Sequence, residues 1–147
     1  MSLLETLNQD LKAAMKAGKK QDVEAIRSLK SALRDKEIEK RGDLSEQDTL
    51  QVLSTAAKRR RESIDSYEKG GRDDLVEQEK AELEVIEKYL PKQLSDDEIG
   101  EIVDKVIAEV GASTMQDMGK VMGQVMPKVR GQADGNAVQN IVKEKLS

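Results

Sequence analysis

Apolar positions recur at spacings of three and four along almost the whole chain, which is the signature of helices with one buried face. Leu4, Leu7, Leu11 and Met15 open the series, and Gly18 stops it. A second helix carries Val23, Ile26, Leu29 and Leu33 on one face and runs through a charged stretch to Gly42. A third opens at Ser45, a capping residue, with Asp48 placed to favour the helix dipole, and runs to Gly70-Gly71. The fourth starts near Asp73 or Asp74 and ends before Pro91, which cannot continue a helix.

Ser95-Asp-Asp-Glu98 then matches a capping box, with Leu94 set as a hydrophobic staple. Ile99, Ile102, Val103, Val106 and Ile107 form the apolar face of that fifth helix, and Gly111 ends it. Ser113 or Thr114 caps a sixth, rich in Met and Val, which Pro127 should kink or end. A last helix begins near Asp134 and carries Val138, Ile141, Val142 and Leu146. No stretch alternates as a strand would. The pattern predicts an all-α protein: a four-helix amino-terminal part, residues 1–93, then a small three-helix carboxy-terminal domain, residues 94–147.

Two of these helices carry a charge on the apolar seam. Leu50, Leu53, Ala57, Arg60, Ile64 and Tyr67 step by threes and fours, as do Val76, Glu79, Leu83, Ile86 and Leu90. The Gly70-Gly71 turn implies an antiparallel hairpin, which sets Arg60 near residues 79–82. An ion pair of Arg60 with Glu79 or Glu82 follows, at least partly buried. The plainer alternative is an Arg60 that snorkels from the edge of the seam.

Composition narrows the chemistry. The chain lacks Cys, His, Phe and Trp and holds two Tyr. Imidazole triads, thiolate nucleophiles and the usual zinc ligands are thereby excluded. No cofactor is expected and no metal, although carboxylates alone can hold magnesium. Gly18-Lys19 and Gly119-Lys120 lack the flanking residues of a phosphate-binding loop. No catalytic residue is identified. The absence of Cys, of an apolar run of membrane-spanning length and of a basic-then-apolar start points to a cytoplasmic, non-membrane protein, expected to be a monomer.

Net charge is −4, so any contact with nucleic acid needs a local basic patch. Lys58-Arg-Arg-Arg61 is the densest basic run, but four successive helical residues point in all directions. With Glu62 and Asp65 nearby it reads as a solvated face plus the Arg60 pair rather than an RNA site. The carboxy-terminal segment is more telling. Residues 112–147 carry five basic residues (Lys120, Lys128, Arg130, Lys143, Lys145) against three acidic, whereas residues 95–111 carry one against six. Gly119 and Gly123 lie four apart, and each costs about 1 kcal/mol against Ala inside a helix. Their presence implies close approach by another backbone: a neighbouring helix or a nucleic acid, with neither favoured. Met115, Met118, Met122 and Met126 read first as core filling and second as an adaptable partner-binding groove.

Two stretches carry a resemblance. The first is Lys58-Arg-Arg-Arg-Glu-Ser-Ile-Asp-Ser-Tyr67, with Gly71-Arg-Asp-Asp-Leu75, Glu79, Glu82 and Tyr89-Leu-Pro-Lys-Gln-Leu94. The second is Gly119-Lys-Val-Met-Gly-Gln-Val-Met126, with Val129-Arg-Gly-Gln-Ala-Asp-Gly135. Together they resemble the GatB/YqeY family, in particular YqeY-like proteins, and the second also resembles the tail domain of the tRNA amidotransferase subunit GatB. The resemblance implies a helical fold in two parts and a link to tRNA-dependent amidation. It carries a family-level label of carbon–nitrogen ligase with glutamine as amido-N-donor, an activity this chain has no catalytic cradle to perform alone. It implies tRNA as a partner, held by Lys120, Lys128, Arg130, Lys143 and Lys145 beside Gly119 and Gly123. The competing expectation is an adaptor for an aminoacyl-tRNA synthetase or an amidotransferase, with no direct RNA contact.

Overall fold

The structure is a computed structural model that describes residues 2–147. Among these residues the fold is all-α, with seven helices and one short 3-10 turn. In chain order the helices are α1 (Leu3–Ala17), α2 (Lys20–Lys40), α3 (Glu46–Lys69), α4 (Asp73–Glu87), α5 (Asp96–Val110), α6 (Met118–Val129) and α7 (Gly135–Leu146). The chain divides after Leu90 into two compact units, the second running Pro91–Ser147.

The capping chemistry places most helix ends. The Ser2 hydroxyl accepts from the Glu5 N–H to start α1, and Gly18 ends it in the left-handed conformation at φ 69°. Full capping boxes start α3, from Ser45 and Asp48, and α5, from Ser95 and Glu98. In both, the N3 carboxylate accepts from the cap N–H, which holds Asp48 down at about 2 (with Lys40 as the larger cause) and lowers Glu98. The end of α2 departs from the sequence expectation. Arg41, not Gly42, takes the left-handed position, at φ 59°.

In the first unit α2 is central, packing against α1, α3 and α4, while α3 and α4 form the most extensive pair. Leu7, Ala25, Ile26, Leu29, Leu33, Leu53, Ala57, Val85 and Ile86 are buried together. Both tyrosines lie in this unit. Tyr89, just past α4, donates to the Asp10 carboxylate on α1 at 2.5 Å. Burial foremost, and then Asp10, pushes the phenol well above its ordinary value.

In the second unit α5, α6 and α7 each pack on the other two. Its core is Ile99, Val103, Val106, Val121, Val125, Val129, Val138, Val142 and Leu146. Valine is a weaker helix former than leucine, but its short branched side chain lets three helices approach closely without an aromatic filler. The methionines do not form this core. Met118, Met122 and Met126 pack on its edge, and Met115 is exposed. The unit is closed at its entry by the Leu94 N–H, which donates to the Gln132 carbonyl at 2.8 Å, and by the Gln93 amide, which donates to the Gly131 carbonyl at 2.8 Å.

Candidate nucleic-acid interface

The sequence singled out α6, and the structure shows what its surface is made of. Val121, Val125 and Val129 point inward, so the opposite face is solvent-exposed. Gly119, Gly123 and Pro127 fall four residues apart on that face. Lys120, Gln124 and Lys128 form the adjoining row. A methyl group built on either glycine would meet nothing within 4 Å. Packing against α5 or α7 within the unit therefore does not account for the two glycines.

Pro127 does not end the helix, which continues to Val129. Having no N–H, it cannot donate to the carbonyl of Gly123, four residues back, where the helical bond would form. The exposed strip therefore presents bare backbone, with a carbonyl that lacks its usual helical donor.

The cations around it are unequal. Lys120, Arg130 and Lys143 are exposed and make no ion pair among the described residues. Lys128 lies 3.7 Å from Glu109, both ends exposed. Lys145 is 3.0 Å from Asp104, and its aliphatic end lies 3.5 Å from where a Cβ on the buried Gly100 would be. That is the reason Lys145 differs from the others: it covers α5 instead of standing free. The acidic stretch on α5 thus neutralises part of the basic stretch on α6 and α7. Ahead of α6, the Asp117 carboxylate accepts from the N–H groups of Ser113 (2.9 Å) and Thr114 (3.3 Å), which lower its pKa.

In the first unit, Arg60 lies between two carboxylates, 3.5 Å from Glu79 and 3.2 Å from Glu82. Arg61 lies 3.5 Å from Glu87. Of the run Lys58–Arg61, only Lys58 and Arg59 face solvent without an ion pair among the described residues. Among the described residues no three carboxylates converge as a metal site would require, and no helix is long and apolar enough to cross a membrane.

The family model described as Yqey-like protein matches residues 4–146. The chain belongs to this family. Its relatives include proteins named "Altered inheritance of mitochondria protein 41, mitochondrial". The one from Eremothecium gossypii is 41% identical over 85 residues, 57% of this chain and 46% of the relative. The one from Lachancea thermotolerans is 36% identical over 110 residues, 73% of this chain and 59% of the relative. The one from Clavispora lusitaniae is 35% identical over 114 residues, 76% and 66%. The chain thus spans about half to two thirds of the length of these relatives. Their names overturn the expectation of a cytoplasmic location. That expectation rested on absences, of cysteine among them, and a chain without cysteine is compatible with more than one compartment.

Proposed function

We propose that this YqeY-like chain is a tRNA-binding accessory protein that works beside tRNA-dependent amidation and performs no chemical step by itself. The observation that supports it most is the bare strip of α6. Gly123, inside α6, weakens the helix by about 1 kcal/mol against Ala, and Gly119, in the first turn, by less, while a side chain at either would meet nothing within 4 Å. A nucleic-acid backbone approaching the helix would need that lack of a side chain. Lys120, Arg130 and Lys143 supply unpaired positive charge in the same unit, and the Gly123 carbonyl, which lacks the Pro127 N–H as a donor, is an acceptor suited to a ribose hydroxyl.

The test is binding of deacylated tRNA across a salt series. Changing Lys120, Lys128 and Arg130 to Ala should weaken binding and flatten its salt dependence by roughly 2 to 3 in log–log slope. Absence of tRNA binding at low salt removes the reading.

A second reading, an adaptor for an aminoacyl-tRNA synthetase or an amidotransferase, draws on the ion pairs of Lys128 and Lys145, which thin the free charge. A protein backbone would use the same bare strip. Co-purification with such an enzyme that survives RNase treatment favours the adaptor.

A further inference from the structure

Helix α2 holds a feature that neither the core nor the α6 surface uses. Lys20, Arg27, Arg34 and Arg41 follow one another at intervals of seven residues. Seven residues make nearly two helical turns and rise about 10 Å, so Lys20, Arg27 and Arg34 fall in one gently drifting row along the helix, and Arg41 follows at its carboxy-terminal cap. Lys30 stands between them, three residues after Arg27 and four before Arg34. The core face of α2 is Ala25, Ile26, Leu29 and Leu33, and Asp35, Lys36 and Glu39 line a groove towards α3. The row lies outside both.

The five cations make no ion pair among the described residues. This sets them apart from Arg60 and Arg61, whose charges are answered internally. Glu24 and Glu37 stand within a turn of the row on its own side, and Asp43 follows Arg41 by two residues, three carboxylates against five cations. Arg27, Lys30 and Arg34 repel one another at spacings of three and four, and Glu24 and Glu37, each three or four residues from two of the cations, offset only part of that charge, which leaves the row net positive. Arg41 even occupies a left-handed backbone position, at φ 59°, that Gly42 next to it would fill without strain.

We propose that the α2 row is a second RNA-contacting surface, one that grips the phosphate backbone of a double-helical segment. The inference rests on the RNA-binding reading above but uses a different unit of the chain. Guanidinium groups match phosphate oxygens two at a time, and a rigid row suits a rigid target. Single strands are held by bases stacking on aromatic rings. The chain has no Phe or Trp, and its two tyrosines are half-buried, Tyr89 being tied to Asp10. The surface can therefore contact phosphates and has nothing with which to stack bases, so binding through it is independent of sequence.

The test uses the full chain and a mixed-sequence RNA duplex, titrated at several potassium chloride concentrations. Arg27, Arg34 and Arg41 are changed together to Gln. A thermal melt checks that the variant folds, and a variant with Lys at the three positions restores charge alone. The Gln variant should lose roughly 2 to 3 in log–log salt slope and bind about tenfold or more weakly at low salt, and the Lys variant should recover most of the slope. Unchanged affinity and slope in the Gln variant overturn the proposal. They would leave the row to an acidic protein partner. The same titration on the Lys120, Lys128 and Arg130 variant keeps the two surfaces apart. If only that variant binds normally, the α6 reading fails and the α2 surface stands. If the unaltered chain does not bind the duplex, the α2 proposal falls, and tRNA binding through α6 is then decided by its own titration.

Discussion

Arg60 Nε lies 3.2 Å from Glu82 Oε2 with only a quarter of the arginine side chain and 9% of the glutamate side chain exposed. Glu79 approaches the same guanidinium, so one positive charge answers two negative ones. Arg60 Nε and Glu79 Oε2 are both buried without a hydrogen-bond partner, which makes the cluster electrostatic in character. Burial above all, opposed by Arg60 and reinforced by Glu79 and Glu24, raises the Glu82 pKa.

The two kinds of partner should therefore respond differently to mutation. Arg60→Ala leaves two largely buried carboxylates uncompensated and is expected to cost about 3 kcal/mol in urea unfolding. Glu82→Gln removes the surplus charge and should cost much less at neutral pH. The sign of the pH effect is fixed by the raised pKa. Glu82 favours folding below its ordinary value of 4.5, and that contribution is lost as pH rises through the folded-state value. The unaltered protein should thus lose ground to the Gln variant between mildly acid and neutral pH.

Tyr89 predicts an alkaline limit. Its phenol is favoured in the protonated form, so its contribution is complete below the ordinary value of 10.0 and is lost as pH rises beyond it. Tyr89→Phe is expected to cost about 1–2 kcal/mol near pH 8 and to blunt the fall in stability above pH 10, measured by denaturant midpoints across pH.

Gly119 and Gly123 separate stability from function. Neither has a positive φ and both have open space beside them, so Ala at Gly123 should raise stability by about 1 kcal/mol and Ala at Gly119, in the first turn of α6, by less. The same pair of methyl groups should weaken tRNA binding by blocking backbone approach. A variant that is more stable and binds tRNA unchanged would show that the bare strip has no role in contact.

The caps offer a local probe of the second unit. Ser95→Ala removes the acceptor for the Glu98 N–H and should cost about 1 kcal/mol, read from the melting of a fragment spanning 91–147 or from amide exchange in α5.

Much of the fold is readable from the chain because its punctuation is local. Gly18, Ser45 and Ser95 act on the backbone within a turn of themselves, and the periodicity of Ile99, Val103 and Val106 names the buried face without knowledge of the neighbours. The surfaces are less readable because they depend on what lies across from them. Sequence alone could not tell whether Gly119 faced a helix or solvent, nor that Lys145 would reach Asp104 and Lys128 Glu109 from other helices. Lys58–Arg61 stands out along the chain because its members are adjacent, whereas those of the α2 row never are. A search at intervals of seven would have found them.

Tyr67 and Tyr89, the only aromatic side chains in the chain, both precede Leu90. The second unit, built on valine, is therefore silent in near-ultraviolet absorption, fluorescence and circular dichroism. Those signals report the first unit alone, while far-ultraviolet dichroism reports both. Comparing the two during one unfolding experiment assigns each event to its half of the molecule without any label.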